Sequence, residues 1–96
     1  WSSFERENLK EMYINAILEI GYYYYKQENI AHTIINAKKI LEIDHIQENA
    51  YELLFKALAT TGNSHELEKS WIQCQAAYKR ELLSKPPKFL SALIVQ

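Results

Sequence analysis

Ala16-Ile17-Leu18-Glu19-Ile20-Gly21-Tyr22-Tyr23-Tyr24-Tyr25-Lys26-Gln27-Glu28-Asn29 is followed, one period on, by a stretch of similar pattern. That stretch is Ala50-Tyr51-Glu52-Leu53-Leu54-Phe55-Lys56-Ala57-Leu58-Ala59-Thr60-Thr61-Gly62-Asn63. Ala16 falls on Ala50, Ile17 on Tyr51, Ile20 on Leu54 and Tyr24 on Leu58, and the polar break Glu28-Asn29 falls on Gly62-Asn63. Past the break, Thr33 meets Leu67, Ala37 meets Trp71 and Ile40 meets Cys74. Each 34-residue period reads as two amphipathic helices. One helical hairpin cannot bury its apolar face alone, so units of this kind stack, and the stack makes surfaces that hold other proteins.

Composition supports long helices with short links. Of 96 residues, 48% are hydrophobic and only two are glycine and two proline, which excludes disorder and collagen-like sequence. Ninety-six residues suit a single domain, 1–96, and Trp1 and Val95-Gln96 read as cut ends of a longer chain. Eleven basic against twelve acidic residues leave a net charge of −1, and only Lys79, Arg80, Lys85 and Lys88 cluster. That argues against direct DNA binding by this segment, which needs cations converging on phosphates. Cys74 is the single cysteine, so no internal disulfide can form, which suits a reducing, cytoplasmic compartment. Charges at Glu5, Arg6, Glu7, Lys10, Glu11 and Glu19 exclude a signal peptide, and no apolar run reaches the ~20 residues of a membrane span.

The spacing predicts a first helix over 3–27, with Ser2 and Glu5 as a capping box. Leu9, Met12, Tyr13, Ala16, Ile17, Ile20 and Tyr24 recur at helical spacing as its buried stripe. Gly21 in that helix costs about 1 kcal/mol relative to alanine, and close approach of the next helix would account for it. Asn29 caps a second helix, 30–43, burying Ile30, Thr33, Ile34, Ala37, Ile40 and Leu41. Asp44, with Gln47, is expected to cap a third, which turns Ala50, Leu53, Leu54, Ala57, Leu58 and Thr61 inward and ends at Gly62. Ser64 is expected to cap a fourth with the stripe Leu67, Trp71, Cys74, Tyr78 and Leu82, placing Trp71 at the centre of the core. Lys85-Pro86-Pro87 stops it, and Pro87 opens a short fifth helix with Phe89, Leu90, Leu93 and Ile94 on one face. The expected fold is all-α: two antiparallel helical hairpins plus a short C-terminal helix.

No residue set points to catalysis. His32, His45 and His65 sit at helix starts without metal-ligand spacing, and His65-Glu66-Leu67-Glu68-Lys69 lacks the second histidine of a zinc motif. Cys74 lies in an apolar stripe, where a nucleophile would want an exposed, electropositive setting. Asp44, the one aspartate, reads as a cap. No catalytic, cofactor-binding or metal-ligating residue is assigned.

Tyr22-Tyr23-Tyr24-Tyr25 is the most unusual local feature. Successive helical positions point about 100° apart, so the four rings cannot share one environment. Tyr24 is in phase with the stripe and is expected inside. Tyr22 and Tyr25 are in phase with Asn15 and Leu18, on the face that lines the inner groove of stacked units. The 34-residue offset extends that face to Asn49, Glu52 and Lys56. Tyrosine is enriched where partners bind, so these seven residues form the expected partner-binding face.

The whole chain resembles the bacterial transcriptional activator domain, a module similar to tetratricopeptide repeats. Trp1, Arg6, Leu9 and Tyr13 match its W-x4-R-x2-L-x3-Y opening, and Glu48, Ala50 and Leu54 its E-x-A-x3-L pattern. Ala57 and the hairpin glycine Gly62 follow, with Trp71 at an aromatic position and Tyr78, Glu81-Leu82 and Pro86 in the tail. Departures are His45 for a proline after Asp44, Leu83 for a glycine after Glu81-Leu82, and Thr33 and Leu67 for small alanines.

The resemblance implies a right-handed array of helical hairpins serving an antibiotic-regulatory-protein-type transcription regulator or a response regulator. DNA would be bound by an upstream winged helix. This module would mediate self-association, receive a signal, or contact RNA polymerase or its own DNA-binding domain. The alternative is a free-standing tetratricopeptide-type adaptor that binds a peptide of another protein.

Overall fold

A computed structural model describes residues 2–94, so Trp1 of the resemblance lies outside the described residues. Five helices follow one another: α1 (Ser3–Lys26), α2 (Ile30–Ile43), α3 (Glu48–Thr61), α4 (Ser64–Leu82) and α5 (Lys88–Ile94). Among the described residues there is no strand, and no helix is long and apolar enough to cross a membrane. α1 and α5 each pack beside α3, α2 lies against α1 and α3, and α4 lies against α3 and α5. The result is a slab of 44 × 34 × 17 Å, about two helix diameters thick.

Short links set this arrangement, and two of them, 34 residues apart, share a backbone pattern. α1 ends in a Schellman motif: Asn29 N–H donates to the Tyr24 carbonyl (2.9 Å) and Glu28 N–H to the Tyr25 carbonyl (3.1 Å). Glu28 takes φ 61° there, and Gly62 takes φ 72° at the end of α3. The next residue caps the next helix in both places. Asn29 Oδ1 accepts from His32 N–H (3.3 Å) and Asn63 Oδ1 from Glu66 N–H (3.1 Å). The cap of α4 is therefore Asn63, not Ser64, because the asparagine carbonyl reaches the third residue on. Ser2 caps α1 as expected, its hydroxyl accepting from Glu5 N–H (3.2 Å).

Asp44 corrects a second expected cap. α3 begins at Glu48, and the Asp44 carboxylate instead holds the α2–α3 link, accepting from Ile46 N–H (3.2 Å) and the Gln47 side chain (3.4 Å). Two phenols fasten the same link: Tyr51 donates to the His45 carbonyl (2.9 Å) and Tyr78 to that of Ile46 (3.0 Å). Leu83, standing where the resembled family has glycine, takes φ 52° and is 89% exposed.

The core centres on α3, from which Ala50, Tyr51, Leu53, Leu54, Phe55, Ala57 and Leu58 are all buried. Thr33, Ala37 and Ile40 of α2, Cys74 and Tyr78 of α4 and Leu90 of α5 complete it. Expectation and structure part at α1. Its buried face is Ile14, Ile17, Leu18 and Gly21, while Leu9, Met12, Tyr13, Ala16 and Ile20 of the expected stripe are exposed and Tyr24 is only half-buried. α1 is apolar on two opposite faces, and the regular 3–4 spacing marks the outer one. Gly21 does serve close packing: a Cβ there would sit 2.7 Å from Leu53 Cδ2 and 3.6 Å from Asn36 Cβ. The tightest neighbour is thus α3, with α2 second.

The inward face of α4 is likewise turned from the expected stripe. Ser70, Cys74, Ala77 and Tyr78 are buried, whereas Leu82 is exposed and Trp71 half-buried, its ring edge-on to Phe55 at 6.1 Å. Small residues at 70 and 77 let α4 lie close, and the bulky indole moves to the flank. Thr61 is exposed at the end of α3, its hydroxyl bonded to the Leu58 carbonyl (2.8 Å). α5 buries Leu90 fully, keeps Leu93 and Ile94 half-buried and leaves Phe89 exposed.

Candidate protein-docking groove

α1, α3 and α5 lie side by side, so residues on one face of each form a continuous surface. Tyr22 is 37% exposed, and burial together with the nearby Glu52 carboxylate raises its phenol pKa. Glu52 is half-buried and pairs with Lys56 one turn on, Nζ to Oε1 3.9 Å. Both groups keep contact with solvent, so the pair adds little to stability and its charges stay open to a partner.

Beside Lys56 lies a concavity of about 430 Å³ lined by Tyr25, Phe55, Lys56, Ala59, Thr60 and Leu93. Tyr25, Ala59 and Leu93 follow one another at the repeat period and come one each from α1, α3 and α5. Three positions at 34-residue intervals, one from each helix, thus line one hollow. Fully buried Phe55 makes an apolar floor, Lys56 supplies a cation, and Thr60, bonded to the Lys56 carbonyl (2.9 Å), a hydroxyl. Such a hollow can take one apolar or aromatic side chain and pair a carboxylate beside it.

Of the seven expected binding residues, Tyr22, Glu52 and Lys56 share this surface and Tyr25 walls the hollow, half-buried. Asn15 and Asn49 are exposed toward the other end of α1 and α3. Leu18 is buried at 5% exposure and packs with Ile14 and Ile17, because Gly21 draws this side of α1 down onto α3. It supports the surface without presenting itself. Ala59, Thr60 and Leu93 were not assigned to the binding face from the sequence, which placed Leu93 on the apolar face of the fifth helix. Two steps of the offset, from Tyr25 to Ala59 and on to Leu93, reach two of them.

Burial pushes the Cys74 thiol up to about 12, so it stays protonated and unreactive at neutral pH. His32, His45 and His65 are exposed: His32 stacks on Tyr24 at 5.0 Å, and His45 Nδ1 lies 3.4 Å from Arg80. Among the described residues no cluster of His, Cys, Asp and Glu could hold a metal ion. Comparisons with protein families, with curated proteins and with solved structures found no match.

Proposed function

We propose that this chain is a protein-docking domain, a tetratricopeptide-like array that binds a partner segment along the face of α1, α3 and α5. The observation that carries the reading is the meeting of Tyr25, Ala59 and Leu93, each one repeat period from the next, around one apolar-floored hollow beside Lys56. Stacked first helices of successive units are the surface such arrays offer to partners. The paired left-handed residues Glu28 and Gly62, each followed by an asparagine cap, support the same repeat.

The resemblance to the bacterial transcriptional activator domain extends the proposal: the partner belongs to the transcription machinery or to the regulator's own signalling. In that setting the domain acts in the cytoplasm and DNA is held by another part of the protein. Removing residues 1–96 from the complete gene product tests this. Promoter binding should persist while activation is lost. Loss of neither, or a product without a DNA-binding domain, removes the transcription reading and favours a free-standing adaptor.

A further inference from the structure

Among the described residues nothing packs on the outer face of α1. Leu9, Met12, Tyr13, Ala16, Ile20 and Tyr23 form an uninterrupted exposed stripe, with Met12 65% and Tyr23 60% accessible. A helix apolar on both faces belongs between two layers, and among the described residues α1 has a layer on one side only. The 34-residue offset says what kind of element fits the other side. Ala16, Ile20 and Tyr23 correspond to Ala50, Leu54 and Ala57 of α3, all buried, Ala50 in a cluster with Ile40 of α2 and Leu54 in one with Ala37. The stripe is a helix-accepting face.

We propose that a second copy of this chain covers it, the two α1 helices pairing antiparallel about a two-fold axis at Ala16. Three observations select a second copy. Five of its six residues are placed symmetrically: Leu9, Met12, Ala16, Ile20 and Tyr23 are spaced 3, 4, 4 and 3 residues apart, while Tyr13 falls level with Glu19 of the second copy. Reversing one helix therefore sets Leu9 against Tyr23, Met12 against Ile20, and the smallest side chain against itself, where two helices must come closest. The flanks also match in charge. Glu5, Met12, Glu19 and Lys26 follow one another at seven-residue intervals along one edge, and antiparallel pairing faces each edge with itself reversed. Glu5 then meets Lys26 of the second copy at both ends, and Met12 lies over the stem of Glu19.

The area is sufficient. The six side chains expose roughly 500 Å², in the upper half of the ~300–600 Å² of a monomer's largest apolar patch, and with the charged edge the face approaches the ~800 Å² per partner of a standard interface. This seam lies on α1 away from Tyr25 and the hollow, so it stands whether or not the groove is used.

Sedimentation of the 96-residue chain across the micromolar range tests it, with circular dichroism to verify folding. The expected mass is twice 11.3 kDa at the upper concentrations. Ala16→Glu should give a helical monomer. Glu5→Lys or Lys26→Glu alone should weaken the dimer by roughly two- to fivefold per pair, and the double exchange should restore it. Ala16→Cys should cross-link copies under mild oxidation while Ile72→Cys on α4 does not. A monomer at every concentration, a dimer that survives Ala16→Glu, or failure of Ala16→Cys to cross-link overturns the proposal. Those results would give the face to an additional helix packed on α1 as α2 packs on α3.

Discussion

Glu28 and Gly62, equivalent positions of the repeat, hold the same left-handed backbone conformation, at φ 61° and 72°. Only one of them is the residue that conformation favours. An L-residue with a Cβ pays about 1–2 kcal/mol in this region, while glycine does not. Glu28→Gly should therefore raise stability by about 1 kcal/mol and Gly62→Ala should lower it by about the same. Leu83→Gly, at φ 52° and almost fully exposed, should also gain. Urea unfolding midpoints at constant slope report all three, and a loss on Glu28→Gly would contradict the strain argument.

Gly21 behaves in the opposite sense. Alanine is the better helix former by about 1 kcal/mol, but its Cβ would stand 2.7 Å from Leu53 Cδ2, and Leu53 is 1% exposed. Overpacking of a closed core costs about 1–3 kcal/mol. Gly21→Ala should thus be net destabilising by about 1 kcal/mol, and much of that loss should vanish in a Leu53→Val background. Equal penalties in both backgrounds would show that the contact with Leu53 is not the cause.

Phe55 and Trp71 meet edge to face, yet only Phe55 is enclosed. Truncating a buried phenylalanine costs about 3–5 kcal/mol, so Phe55→Ala should approach the limit of folding. Trp71→Ala removes a half-buried ring and should cost about 1–2 kcal/mol. The reverse order would place the indole at the centre of the core after all.

The failures in reading burial share one physical origin. Helix bounds were legible to within a few residues because caps and breaks are local: Ser2, Asn29 and Gly62 act where their chemistry predicts, whereas Asn63 takes the cap expected of Ser64 and Asp44 holds the α2–α3 link instead of capping α3. Burial was legible where a helix has one apolar face, as in α2. It was not legible in α1, where Ile14, Ile17 and Leu18 face inward and Leu9, Tyr13 and Ile20 outward, since both sets are apolar at helical spacing. In α4 the small residues Ser70 and Ala77 decide which side lies closest, and periodicity of large residues overlooks them. That Tyr22 and Lys56 lie on one surface was legible, because the offset maps one onto the other. Leu18 escaped because its burial depends on how deeply Gly21 lets α1 settle.

Stability should fall in alkaline solution. Burial raises the pKa of Cys74 and Tyr51 to about 12 and raises that of Tyr78 as well. Their unfolded values are roughly 8.5 for cysteine and 10 for tyrosine. Below about pH 8 all three are neutral in both states and stability is at its full value. Between the unfolded and folded pKa values the native state binds more protons than the unfolded chain. Each group then costs about 1.4 kcal/mol per pH unit as pH rises. Unfolding free energy measured from about pH 8 to 11 should decline, with the descent steepening above about pH 10 as the tyrosines join Cys74. A flat profile would mean that these side chains are solvated in the native state.

The docking groove is tested most directly by the complete gene product carrying Lys56→Glu or Ala59→Trp. Lys56 is exposed, so reversing its charge leaves the fold intact, whereas tryptophan at position 59 fills the hollow between Tyr25 and Leu93. Both variants, folded by circular dichroism, should lose most transcriptional activation while still occupying the promoter, and Lys69→Glu on α4 should behave as wild type. Full activation by Lys56→Glu and Ala59→Trp alike would show that the face of α1, α3 and α5 does not hold the partner.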